Sequence, residues 1–180
     1  MGKQINYLSL SDLKKELKTL DHKELTSIIV NSYKLNNEVK QQLSVKFNRE
    51  DMVERLFHKY KKQIVDEFFP DKGFGKMRLS HAKKAISTYK KLTDDQEGTL
   101  ELMLIYLETG VSFTNTYGEI DERFYNSMSS MFDKVTDHCQ KEAIVFNKYQ
   151  TRLKEMVENT EGIGWGFHDE LSDIFYSKMA

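Results

Sequence analysis

A chain of 180 residues with a single proline, Pro70, has almost nothing in it to stop a helix. Proline lacks the N–H that a helix interior needs, so Pro70 is the one obligatory break of that kind. On both sides of it apolar residues return every three or four positions, the period of a helix with one buried face. Leu10, Leu13, Leu17 and Leu20 open the series behind Ser9 and Ser11, either of which would cap a first helix. Leu25, Ile28, Ile29 and Tyr33 follow, with Asp21 and Glu24 spaced as a capping box. After Asn36 and Asn37, a shorter stripe of Val39, Leu43 and Phe47 marks a third helix. Asn48 and Asp51 then open a fourth, striped from Met52 to Phe68, which must stop before Pro70.

Beyond the turn DKGFGK, Ala82, Ala85, Ile86, Tyr89 and Leu92 line one side of a fifth helix. Thr93 and Gln96 read as the capping box of a sixth, which either ends at Gly110 or runs on through TGVSFTNTY. From Glu119 to Glu161 there is neither glycine nor proline. One helix of that length is unusual in a globular domain, so two are expected, broken near His138 to Glu142. GIGWG interrupts next, and Phe167 to Met179 form the last helix. No alternating apolar–polar run and no repeat of solenoid period occurs. The expected fold is therefore all-α, about eight helices in one domain over residues 1–180. Short connections make them stacked antiparallel hairpins or an irregular bundle.

Charge is sorted along this chain although it nearly cancels overall, at −1. Lys72, Lys76, Arg78, Lys83, Lys84, Lys90 and Lys91 occur with no Asp or Glu among them. Asp94, Asp95, Glu97, Glu101, Glu108, Glu119, Asp121 and Glu122 follow with no Lys or Arg interspersed. At ~100° per residue, the four lysines of the fifth helix share a sector of ~120° opposite its apolar side. With Gly73 and Gly75 nearby, that face is suited to an anionic ligand or an RNA backbone. It is equally suited to being a solvated face laid against the acidic segment. A fully exposed basic face favours the first use and a neutralised one the second. The near-zero overall charge removes the usual signature of a dedicated nucleic-acid binder, leaving only a local patch for that work.

Chemistry of other kinds finds little support. Cys139 stands alone, so no intrachain disulfide forms, as in a reducing cytosol. His22, His58, His81, His138 and His168 are scattered without metal-ligand spacing, and the acidic segment lacks the regular ligand pattern of a calcium loop. No metal and no cofactor is expected, and no nucleophile or dinucleotide fingerprint is present. The opening MGKQINYLSL has no secretory apolar run, and the longest apolar run, Leu102 to Leu107, is too short to span a bilayer. A cytoplasmic protein is expected, with no membrane association.

Three irregular stretches, DKGFGK, TNTYGEID and GIGWGFHD, each join glycines to an aromatic: Phe74, Tyr117 and Trp165. Large aromatics in loops either bury themselves or line a pocket. The three are expected to converge, with Trp165 as a floor and Lys76 or Arg78, Asn115 and His168 pointing inward. Such a cluster would be a binding pocket or a structural lock for the last helix. An enzyme built on Asn115, Trp165 and His168 is the minor alternative.

The phrases SLSDLKKELKTLDHKEL, DKGFGKMRLSHAKKAIS, GTLELML, TNTYGEIDERFYNSM and TEGIGWGFHDELSD resemble those of a bacterial family of uncharacterised proteins, a domain of unknown function. The likeness runs over nearly the whole chain. It implies a small bacterial cytoplasmic protein and carries no functional residues with it. From the residues themselves, the leading expectation is a non-enzymatic binding or scaffold module that recognises a macromolecular partner, most simply a protein, through a helical face. The alternative is anionic-ligand or RNA-backbone binding through residues 72–91.

Overall fold

The computed structural model describes residues 6–179; the first five residues, read above for a targeting signal, lie outside the described residues, as does Ala180. Nine helices and no strand occur among the described residues, so the fold is all-α. In order they are α1 (Leu10–Thr19), α2 (His22–Leu35), α3 (Asn37–Phe47), α4 (Arg49–Phe68), α5 (Leu79–Thr93), α6 (Gln96–Tyr117), α7 (Glu122–Cys139), α8 (Ala143–Glu158) and α9 (Phe167–Met179). They fall into two compact units, one ending at Asn48 and one beginning at Arg49.

The first unit is held by local chemistry. Ser9 caps α1, its Oγ accepting the Asp12 N–H at 3.1 Å. Asp21 accepts the Glu24 N–H at 2.8 Å while Glu24 accepts the Asp21 N–H at 2.9 Å, the reciprocal box its spacing predicts. Asn36 closes α2 through its N–H to the Ser32 carbonyl and opens α3 through its side-chain oxygen. α2 packs on α3. Neither α1 nor α2 buries a side chain: Leu10, Ile28, Ile29 and Leu35 are all exposed.

The second unit holds most of the core. α4 stops before Pro70, and the chain reverses by bonding back to it, the Met77 N–H meeting the Glu67 carbonyl at 2.7 Å. Gly75 is squeezed there, since a Cβ would stand 2.2 Å from the Phe68 carbonyl oxygen. α5 packs on α4 through Ala82, Ala85, Ile86 and Tyr89, all buried. Two residues turn α5 into α6: Asp94 takes a left-handed φ of 51°, and Asp95 caps α6 by accepting the Gly98 N–H. The cap is thus Asp95, not Thr93, which belongs to α5 and donates its hydroxyl to the Tyr89 carbonyl at 2.9 Å.

α6 buries most of its side chains from Leu100 through Thr114 and leaves Glu101 and Glu108 half-exposed and Ser112 exposed, as a helix near the centre of a bundle does. It packs against α4, α5 and α7. It runs through Gly110 rather than ending there, because that residue lies under Met128 of α7; a Cβ would come 2.6 Å from its Sδ. α7 and α8 are separated at residues 140–142, inside the expected break. α9 closes the unit against α7 and α8. Phe68 and Tyr106, both fully buried, meet edge to face at 5.8 Å, and each such side chain stabilises by ~1.5–3 kcal/mol. Phe69 lies against Tyr117 and Asn115 bonds to Asn159, so α4, α6 and α8 end on the same side of the unit. No helix among the described residues is long and apolar enough to cross a membrane.

Candidate functional site

The inward side of α5 is committed to the core, which leaves Lys83, Lys84, Lys90 and Lys91 on its outer face. Lys72 and Lys76 project from the reversal ahead of it, and all six lysines are exposed. Arg78 behaves differently. Its guanidinium donates from Nε at 3.0 Å and from Nη2 at 2.7 Å to the buried carboxylate of Glu67, whose other neighbour is His81 at 4.0 Å. Burial alone would push the Glu67 carboxyl up, but the hydrogen bonds from Arg78 outweigh it and hold the group below its ordinary value. Arg78 is therefore engaged in closing the α4–α5 reversal. Lys83 reaches only a neutral hydroxyl, that of Ser127 at 2.9 Å. Among the described residues, the side chains of Lys72, Lys76, Lys84, Lys90 and Lys91 have no ion pair and no hydrogen-bond partner.

The acidic run does not cover that face. Three of its carboxylates turn to α8 instead: Glu97 pairs with Lys148, and Glu101 and Glu108 both hold Arg152. Arg152 gives Nη1 to both oxygens of Glu101 at 2.8 Å, Nη2 to Glu108 at 2.8 Å, and Nε to Glu108 as well. These bonds push the guanidinium still higher than its usual value, against the opposing effect of burial. Asp95 and Asp121 are spent as caps, and Asp95 also accepts the Tyr89 hydroxyl at 2.5 Å.

Of the three glycine-rich stretches, TNTYGEID meets GIGWGFHD. Its link to the first reversal runs through Phe69, ahead of DKGFGK rather than within it, so the three do not converge on one pocket. Tyr117 stacks on Phe69, just ahead of DKGFGK, at 6.1 Å, and lies tilted against Phe113 at 4.7 Å. Glu119 presses on Gly164, where a Cβ would stand 2.3 Å from its Oε1. Trp165 stacks on Tyr125 at 6.5 Å. The buried ring of Tyr125 is the hub: its hydroxyl pairs with Thr114 at 2.9 Å and accepts the Ile120 N–H at 3.2 Å. Trp165 is 61% exposed at a φ of +63°, lying over that ring from outside, and Phe74 is 89% exposed. The polar residues named with them bond to helix ends. Asn115 donates to the Asn159 carbonyl at 2.8 Å, and His168 Nδ1 lies 3.0 Å from the Thr160 hydroxyl and 3.2 Å from the Val157 carbonyl. Asn115 also borders a cleft of about 360 Å³ shared with Glu108, Arg152, Met156 and Asn159.

Two residues with no sequence pattern tying them to the α5 lysines stand beside one of them, Lys90. Lys134 and His138 of α7 share with Lys90, Gln96 and Thr99 a cleft of about 230 Å³ walled by Leu100 and Met103. Their spacing, one helical turn apart on α7, places them on one face, but only the packing of α7 brings that face to α5. Among the described residues, no three His, Cys, Asp or Glu side chains are grouped to hold a metal ion.

No curated protein and no solved structure matches this chain. A family model described as a family of unknown function, DUF6155, matches residues 8–178 and so takes in both helical units. The chain belongs to this family of unknown function, DUF6155.

Proposed function

We propose that the protein is a non-enzymatic binding module that holds an RNA backbone along the outer face of α5. One observation carries this reading: the lysines of that face have no carboxylate partner, while Glu97, Glu101 and Glu108 of the acidic run that follows them are occupied by α8. Lysines left without counter-charges repel one another and attract a counterion atmosphere; a phosphate backbone relieves the first and displaces the second. Lys83 to Lys91 span ~12 Å of helix, enough to follow successive phosphates of a strand. Lys72 and Lys76 extend the positive surface beyond the start of the helix. With a net charge of −1 for the whole chain, attraction is confined to this face.

The test is fluorescence anisotropy of a labelled single-stranded RNA at low salt. Replacing Lys83, Lys84, Lys90 and Lys91 by Gln should abolish binding, whereas replacing Lys14, Lys15, Lys18 and Lys23 in the first unit should leave it. Equal loss from both sets, or no binding by the parent chain, would remove the reading.

A second reading, recognition of a protein partner in the cytoplasm, is favoured by a separate observation. α1 and α2 bury no side chain and expose Leu10, Ile28, Ile29 and Leu35, apolar surface of the kind that docks against another helix. Under that reading Ile28→Asp with Ile29→Asp abolishes association with the partner and leaves the helical content unchanged. Association that survives the double substitution excludes this face.

A further inference from the structure

We infer that the cleft between α5, α6 and α7 is a seat for a small organic phosphomonoester, distinct from the backbone track on the outer face of α5. The cleft is about 230 Å³ and is lined by Lys90, Lys134, His138, Gln96, Thr99, Leu100 and Met103, with no carboxylate among them. The two ammonium groups come from different helices, and neither they nor the His138 ring has an ion pair or a hydrogen-bond partner among the described residues. The acids nearest on α7 are turned elsewhere, since Asp133 and Asp137 both bind Lys178 of α9 at 2.5 Å. Asp94, at the end of α5, faces the Gln96 amide at 3.4 Å. A basic cleft with no carboxylate in its lining, and with Asp133 and Asp137 tied to Lys178, is complementary to an anion.

The class of anion follows from charge and shape. A phosphomonoester carries close to two negative charges at neutral pH, matching the two ammonium groups, and has oxygens to spare for Gln96 and His138. Leu100 and Met103 give the cleft an apolar wall that inorganic phosphate would leave unused and a sugar or ring would cover. The volume is below the ~300–1,000 Å³ of ordinary ligand sites, so the seat admits one small group beside the phosphate. Lys90 is the residue common to this seat and the backbone track. The seat depends on Lys134 and His138, and it stands whether or not the track binds RNA.

The experiment is calorimetric titration of the full chain with ribose 5-phosphate, inorganic phosphate and ribose. One molecule of the monophosphate should bind, about tenfold more tightly than inorganic phosphate, with no heat from ribose. Lys134→Gln should weaken the monophosphate by about tenfold and leave RNA affinity unchanged, whereas Lys83→Gln with Lys84→Gln should do the reverse. Lys134 is exposed, so the variant is expected to keep the parent's circular dichroism spectrum. No binding of the monophosphate, equal affinity for inorganic phosphate, or indifference to Lys134→Gln would each overturn the seat. Monophosphate binding without any RNA binding would uphold the seat and remove only the backbone track.

Discussion

Replacing Arg152 by Met tests the neutralisation that leaves the basic face free. The substitution keeps a long stem to pack against α6 while deleting the group that binds Glu101 and Glu108. Exposed ion pairs contribute ~0.2–1 kcal/mol, and removing one partner of a buried pair costs ~3–5 kcal/mol. The side chains of Arg152, Glu101 and Glu108 are 30%, 29% and 38% exposed, between those limits. The expected loss is therefore about 2 kcal/mol, or a fall of roughly 4–8 °C in Tm for a chain of this size. Urea unfolding followed by circular dichroism measures it, provided the slope with denaturant is unchanged. Adding Glu101→Gln and Glu108→Gln should recover at least half, because the cost lies in the two stranded carboxylates. A loss below ~0.5 kcal/mol, or no recovery in the triple variant, would refute this assignment of the acidic run to α8.

Other consequences are independent of that one. Cys139 is fully buried, and burial pushes its thiol up to about 11, so a thiol reagent should label it only as fast as the helices open; labelling of the folded protein on mixing would contradict this. Glu67 has a carboxyl held below its ordinary value in the folded state, so its stabilising contribution is complete above the unfolded carboxylate pKa and is lost as pH falls through the folded one. Glu67→Gln should thus flatten the acid limb of a Tm-against-pH curve, and an unchanged limb would refute it. Gly110→Ala gains ~0.5–1 kcal/mol of helix propensity but forces the buried Met128 to move, at ~1–3 kcal/mol. The net should be a loss of about 1 kcal/mol by denaturant unfolding, and a gain would show the contact to be looser.

What the sequence disclosed about the fold was local in origin. The Asp21–Glu24 box, the stop before Pro70 and the break between α7 and α8 depend on residues within a few positions of one another. Where two local signals compete, the pattern misleads: Thr93 and Gln96 have the spacing of a capping box, yet the left-handed turn at Asp94 hands the cap to Asp95. Gly110 reads as a helix end because its true reason, the Met128 side chain, comes from another helix. The candidate site divides in the same way. The lysines of α5 were visible as a stripe, but their freedom was not, since the partner of Glu101 lies 51 residues away in sequence. Trp165, Asn115 and His168 stand out in the sequence as unusual, yet they are linked only in series, through Tyr125 and the ends of α6 and α8. Lys134 and His138 carry no pattern of their own and gain meaning from the packing that sets them beside Lys90.

The most direct measurement of the central proposal is the salt dependence of RNA binding. Each phosphate neutralised on a single strand contributes a slope of about −0.7 to the plot of log affinity against log salt. Four lysines on α5 should give a slope near −3, and Lys83, Lys84, Lys90 and Lys91 replaced by Gln should bring it towards zero. A steep slope that survives the four substitutions would place the contact elsewhere, and a chain that binds no RNA at low salt would contradict the proposal outright.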